Sequence, residues 1–175
     1  MMNKFLRIFL LFTLIFFLYS CNEKNKKENK NDNSANQKTE DILPDDIVRT
    51  DILPSLGKWM YTSEYKYANW LGAKLKGKVL REPINIIIVD SISKSIDEAK
   101  NKLIKNFDTA GFKVRKGHSG GYLGYIENKF YTQLPEQSGH AFSDAPFEIN
   151  NSHGRVFGPC EVNGVYYFSG AFSKE

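Results

Sequence analysis

Gly117-His118-Ser119-Gly120-Gly121 sets a serine among glycines with G-x-S-x-G spacing, and Asp144 and His153 follow it in the order Ser…Asp…His. A serine placed this way is a nucleophile only if a histidine takes its proton and a third group orients the imidazole. The elbow that lifts such a hydroxyl above a sheet also needs a helix directly behind it. Here Tyr122-Leu123-Gly124-Tyr125-Ile126 follows, which reads as a strand. The chain between Ser119 and His153 is also too short for the elements that separate these residues in that kind of hydrolase. The segment is therefore read as a glycine-rich β-turn, with serine hydrolysis as the competing reading.

His118, His140 and His153 are the only histidines, and all three fall in glycine- or serine-rich stretches read as loops near strand ends. Together with Asp144 or Glu148 they could ligate zinc and leave one position open. None of their spacings matches a helical or close-paired metal motif, and no motif asks for a cofactor. The densest patch of special residues is Asn150 to Pro159, in which Asn151 and Arg155 are candidate binding residues. An arginine fork pairs with a carboxylate or phosphate through two parallel bonds. The alternative is an arginine that ties strand to loop within the fold. Cys160 has no pairing partner once Cys21 is assigned as below, and lone thiols usually pack as small hydrophobes.

These residues must be positioned by the stretch from about Ile42 onward. Ile84 to Val89 holds four β-branched residues in succession and predicts a strand buried on both faces. Ser95 followed three residues later by Glu98 predicts a capped helix start. Ile96, Ala99, Leu103, Phe107 and Ala110 then make one apolar stripe that ends at Gly111. Phe112–Arg115 predicts a short strand. Glu127-Asn128-Lys129 and Asn163-Gly164 predict two hairpins, with Tyr166, Phe168 and Phe172 on one face of the last strand. Asp41-Ile-Leu-Pro44 recurs as Asp51-Ile-Leu-Pro54 and predicts turns, or a short helix over 45–50. The alternation of Trp59, Tyr61, Tyr65 and Tyr67 suggests a strand. The expected class is α+β: a largely antiparallel sheet, with the helix Ser95–Ala110 packed on one face and C-terminal hairpins.

The start of the chain is of another kind. Lys4 and Arg7 precede an almost unbroken apolar run, Ile8 to Tyr19, closed by Ser20 and Cys21. That is the grammar of a secretory signal, and the run is too short for a comfortable membrane span. Residues 22–41 contain no Leu, Ile, Val, Phe, Tyr or Trp, and five lysines balance five acidic residues. Such a stretch cannot offset the entropy of ordering its backbone and reads as a disordered tether. The expected organisation is a signal over 1–20, a tether over 21–41 and one domain over 42–175. A net charge of +4, spread along 175 residues, does not point to nucleic acid.

Leu18-Tyr19-Ser20-Cys21 resembles the lipobox of bacterial lipoproteins, with Tyr19 standing where a small or branched residue is usual. The resemblance implies a diacylglyceryl group on the Cys21 thiol, cleavage before it, and acylation of the new amino terminus. It implies anchoring to a membrane of the cell envelope; the partner expected there, apart from the resemblance, is an envelope polymer or protein. Glu82-Pro83-Ile84-Asn85-Ile86-Ile87, Thr109-Ala110-Gly111-Phe112 and Gly154-Arg155 resemble the LssY C-terminal domain family over about Trp70 to Glu175. In some members that domain accompanies membrane phosphatase segments, which this chain lacks, so the resemblance implies no catalytic residue. The functional expectation is a binding or interaction module. The alternative is an envelope hydrolase using the loops around His118/Ser119, His140/Asp144 and His153.

Overall fold

The computed structural model describes residues 43–117, 119–136 and 139–174. The signal, Cys21, the tether and both expected boundaries lie outside these residues, as does His118. In chain order the described elements are a 3-10 turn (Pro44–Asp46), β1 (Ile47–Val48), β2 (Leu56–Gly57), β3 (Tyr61–Thr62), β4 (Asn69–Leu75), β5 (Lys78–Arg81), β6 (Ile86–Asp90), α1 (Ile96–Thr109), β7 (Lys113–Lys116), β8 (Tyr122–Ile126), β9 (Lys129–Leu134), β10 (His140–Ser143), β11 (Ser152–Val162) and β12 (Val165–Lys174). The class is broadly α+β and weighted toward β, and every strand pairing described is antiparallel. Ten strands form one sheet that does not close into a barrel, and β4 and β5 form a separate hairpin.

Helix α1 begins and ends where its local chemistry dictates. The Ser95 hydroxyl accepts from the Glu98 amide at 3.1 Å. The Glu98 carboxylate reaches back to the Lys94 amide at 2.8 Å, one residue earlier than the standard box. At the far end Gly111 has φ +91°, the Phe112 amide bonds to the Phe107 carbonyl and the Gly111 amide to that of Asp108. This is a Schellman cap, closed by the Phe107–Phe112 ring contact. Ala99 and Leu103 are buried against Leu134, Phe142, Val156, Tyr166 and Phe168, whereas Ile96 and Ala110 face water. The apolar stripe is thus narrower than its periodicity implies.

Strands β11 and β12 are the spine of the sheet, and both faces of β11 are covered. Val156 packs toward α1, while Phe157 packs oppositely with Met60, Ala68 and Ala171. A bulge falls between Phe157 and Cys160. Gly158 has φ +123° there, and a Cβ at this position would stand 2.8 Å from the Tyr167 carbonyl oxygen. Only glycine fits that corner.

Some expectations are corrected. The Ile84–Val89 run is not a strand buried on both faces, because β6 pairs only with β12 at an edge of the sheet. Ile88 therefore packs inward, while Ile87 and Val89 are exposed. Of the two alternatives for the Asp-Ile-Leu-Pro segment, the turn is found and the helix over 45–50 is not: the 3-10 turn ends at Asp46 and β1 follows directly, since Ile47 and Val48 pair with Gly57 and Leu56. The alternating aromatics do not form one strand: the chain turns between Thr62 and Lys66, so that Tyr61 bridges Tyr67. His140 and His153 lie on strands β10 and β11, not in loops.

Candidate functional site

The antiparallel register of β11 and β12 sets His153 opposite Ser173 and Arg155 opposite Ala171. Opposed residues, and residues two apart along a strand, share one face of a sheet. His153, Arg155 and Ser173 accordingly line one cleft of about 280 Å³. Its other walls come from Trp70 and Glu82, from Ser119 and Tyr122, and from Phe172. The volume is near the lower limit for a small-ligand site.

Arg155 is buried at 7% exposure. Its Nη2 donates to the Ser119 carbonyl at 2.6 Å, and its guanidinium lies 4.8 Å from the Tyr122 ring centre. Tyr122 is itself positioned from below by the buried Gln133, whose Oε1 accepts from the Tyr122 amide at 3.1 Å. The Gln133 Nε2 donates to the His140 carbonyl at 3.2 Å. The Ser119 hydroxyl pairs with the Tyr122 hydroxyl at 2.8 Å.

His153, also buried, holds a second relay. Asn151 Nδ2 donates to the Ile149 carbonyl at 3.0 Å, which fixes the amide with Oδ1 toward the imidazole. That oxygen stands 2.8 Å from His153 Nδ1, and so is paired with a proton-bearing Nδ1. Nε2 is then the acceptor for the Ser173 hydroxyl at 3.2 Å. Hydroxyl, imidazole and orienting amide stand in the sequence that a nucleophile, base and orienter require.

Sequence order pointed to Ser119 and Asp144 as the partners of His153; the hydrogen bonds run to Ser173 and Asn151 instead. Asp144 is exposed, and its Oδ1 accepts from the Ser152 amide at 2.7 Å, closing the turn between β10 and β11. That bond leads the effects holding its carboxyl below the usual carboxylate value. His140 does not line the cleft. Among the described residues no group of three His, Cys, Asp or Glu side chains is placed to hold a metal ion. Cys160 is buried, and that burial pushes its thiol up, although a Tyr131 hydrogen bond opposes the shift. A thiol kept protonated packs; it does not attack.

Ser173 was missed for a countable reason. Reading back from the Asn163-Gly164 turn without a bulge sets Lys174 opposite His153. The extra residue at Gly158 shifts the register by one and brings Ser173 there instead. Glycine within a strand was the available signal.

No family model, no curated protein and no solved structure matches this chain.

The cleft wall contributed by Trp70 and Glu82 is braced from outside. Asp46 accepts from Trp59 Nε1 at 2.7 Å, from the Tyr67 hydroxyl at 2.6 Å and from Arg81 Nη1 at 3.2 Å. The Arg81 guanidinium lies 3.8 Å from the Tyr67 ring centre and 5.5 Å from that of Trp59. Backbone bonds from Met60 to Glu82 and from Glu82 to Ala68 complete the brace. Burial would raise the Asp46 carboxyl; the three donors and the Arg81 charge together outweigh it and hold the group below its ordinary value.

Proposed function

We propose that this chain is a lipid-anchored cell-envelope binding module that takes a small anionic ligand in the Arg155 cleft. One observation carries the reading: a buried guanidinium, bonded to the Ser119 carbonyl and set over the Tyr122 ring, is part of the lining of the cleft. A cation oriented in a low-dielectric wall favours a carboxylate or phosphate. Trp70 and Tyr122 supply apolar walls for the body of such a ligand. Anchoring rests on Leu18–Cys21 and on the tether composition.

The test is a titration of the isotope-labelled chain with acetate and, separately, with inorganic phosphate. Saturable shifts of the Ser119–Tyr122 amides with one anion identify the class of headgroup. Unchanged amides with both would refute the reading. For the anchor, fatty-acid labelling should vanish in Cys21→Ser, and retained label would refute acylation at that thiol.

The Ser173–His153–Asn151 relay favours a second reading, an envelope hydrolase. Strand geometry argues against it. Backbone amides in a ladder lie in the plane of the sheet while side chains stand perpendicular to it, so the amides beside Ser173 are not aimed where an oxyanion would form. A fluorophosphonate probe should therefore leave the chain unlabelled. Stoichiometric label lost in Ser173→Ala would reverse the choice.

A further inference from the structure

The β4–β5 hairpin shares no pairing with the main sheet, and every β4 side chain is exposed. Leu71 is 88% exposed, Leu75 61% and Val79 49%. Its turn residues Lys76 and Gly77 both have positive φ, the tight type I′ geometry. A two-stranded hairpin that buries nothing of its own is marginal in water, and this many exposed apolar side chains on one short hairpin mark an element that something else covers.

Charge and register indicate what covers it. Residues 69–81 contain Lys74, Lys76, Lys78 and Arg81 and no acidic residue. Arg81 is paired with Asp46, so three ammonium groups are concentrated at the tip. Lys74 lies opposite Val79, and Lys78 opposite Leu75. Each face of the hairpin thus carries one basic and one apolar side chain. A protein groove would select one apolar face and leave the other polar. A tip mixed on both faces suits end-on entry into a lipid headgroup layer, where Leu75 and Val79 leave water and the lysine stems turn their ammonium groups back to phosphates.

We infer that the β4–β5 tip docks on an anionic lipid bilayer. The inference stands apart from acylation of Cys21 and from the ligand of the Arg155 cleft, because it uses neither.

The experiment uses the full chain carrying Leu75→Trp, reconstituted in vesicles of brominated phosphatidylcholine with or without phosphatidylglycerol. The emission added by the new tryptophan should be quenched in the anionic vesicles and not in the zwitterionic ones, and high salt should release it. Each lysine charge removed should lower the ratio of docked to free tip about fivefold, so Lys74→Gln, Lys76→Gln and Lys78→Gln together lower it about a hundredfold. Equal quenching in both vesicle types, or quenching that survives the triple change, would overturn the inference. So would a tryptophan that stays open to acrylamide on anionic vesicles, which would assign the tip to another partner. Should the triple variant misfold, the salt and lipid dependence of Leu75→Trp alone decides.

Discussion

Replacing Asp46 by alanine removes three hydrogen bonds and leaves Arg81 against two aromatic rings without its counter-charge. Loss of one partner from a buried charge pair costs about 3–5 kcal/mol. Arg81 is 35% exposed, so water recovers part of that, and about 2–4 kcal/mol is expected. For a domain of this size that lowers Tm by roughly 6–15 °C. Asp46→Asn keeps the shape and one acceptor oxygen but loses the charge, and should cost about 1–2 kcal/mol. Denaturant unfolding of both variants, alongside Tyr67→Phe and Arg81→Met, measures the order. The sign with pH follows from the lowered carboxyl. Its stabilisation is present above the unfolded value near 4 and is lost as pH falls toward the folded one. Asp46→Asn should therefore flatten the acid limb of the stability curve. An Asp46→Ala variant within about 0.5 kcal/mol of the parent, or an asparagine variant no better than alanine, would refute the brace.

Asp90 receives bonds from the Ser93 hydroxyl, the Ile92 and Ser93 amides and Lys102. The Ser93 bond leads the effects that hold its carboxyl far below the usual value. Asp90→Asn should remove a stabilisation that is full above about pH 4 and fades progressively as pH falls from there toward the strongly lowered folded value, as read by melting across pH. Gly124→Ala would drive a Cβ to 2.4 Å from the Phe157 ring, which is fully buried, and should cost about 1–3 kcal/mol in denaturant unfolding. Gly158→Ala adds positive-φ strain to a backbone clash and should cost as much; it should also disturb the Ser173–His153 contact, seen as a change in the His153 ring signals.

What could be read from the sequence was local. Ser95 with Glu98, Gly111 after the apolar stripe, Glu127-Asn128 and Asn163-Gly164 each fix a backbone feature within a few residues, and each element starts or turns at these signals. What could not be read was relational. Ile86 to Val89 looks the same whether a strand is central or at an edge, because neighbours far along the chain decide that. The two-residue strands β1, β2 and β3 carry too little pattern to register. Arg155 and Asn151 stand out in the sequence only as polar residues in a special patch, and in the fold they belong to one cleft wall and one relay. Ser173 was invisible because its place beside His153 depends on one extra residue at Gly158.

In the proposed function the Arg155 fork receives an anion. The most direct measurement is the acetate and phosphate affinity of the parent chain against Arg155→Lys, with melting curves confirming that both are folded. Lysine keeps the charge but loses the two-pronged donor, so affinity for the recognised anion should fall about ten- to a hundredfold, with the Ser119–Tyr122 shifts reduced to match. Equal affinity in a folded Arg155→Lys chain, or anion-dependent shifts confined to residues away from the cleft, would contradict it.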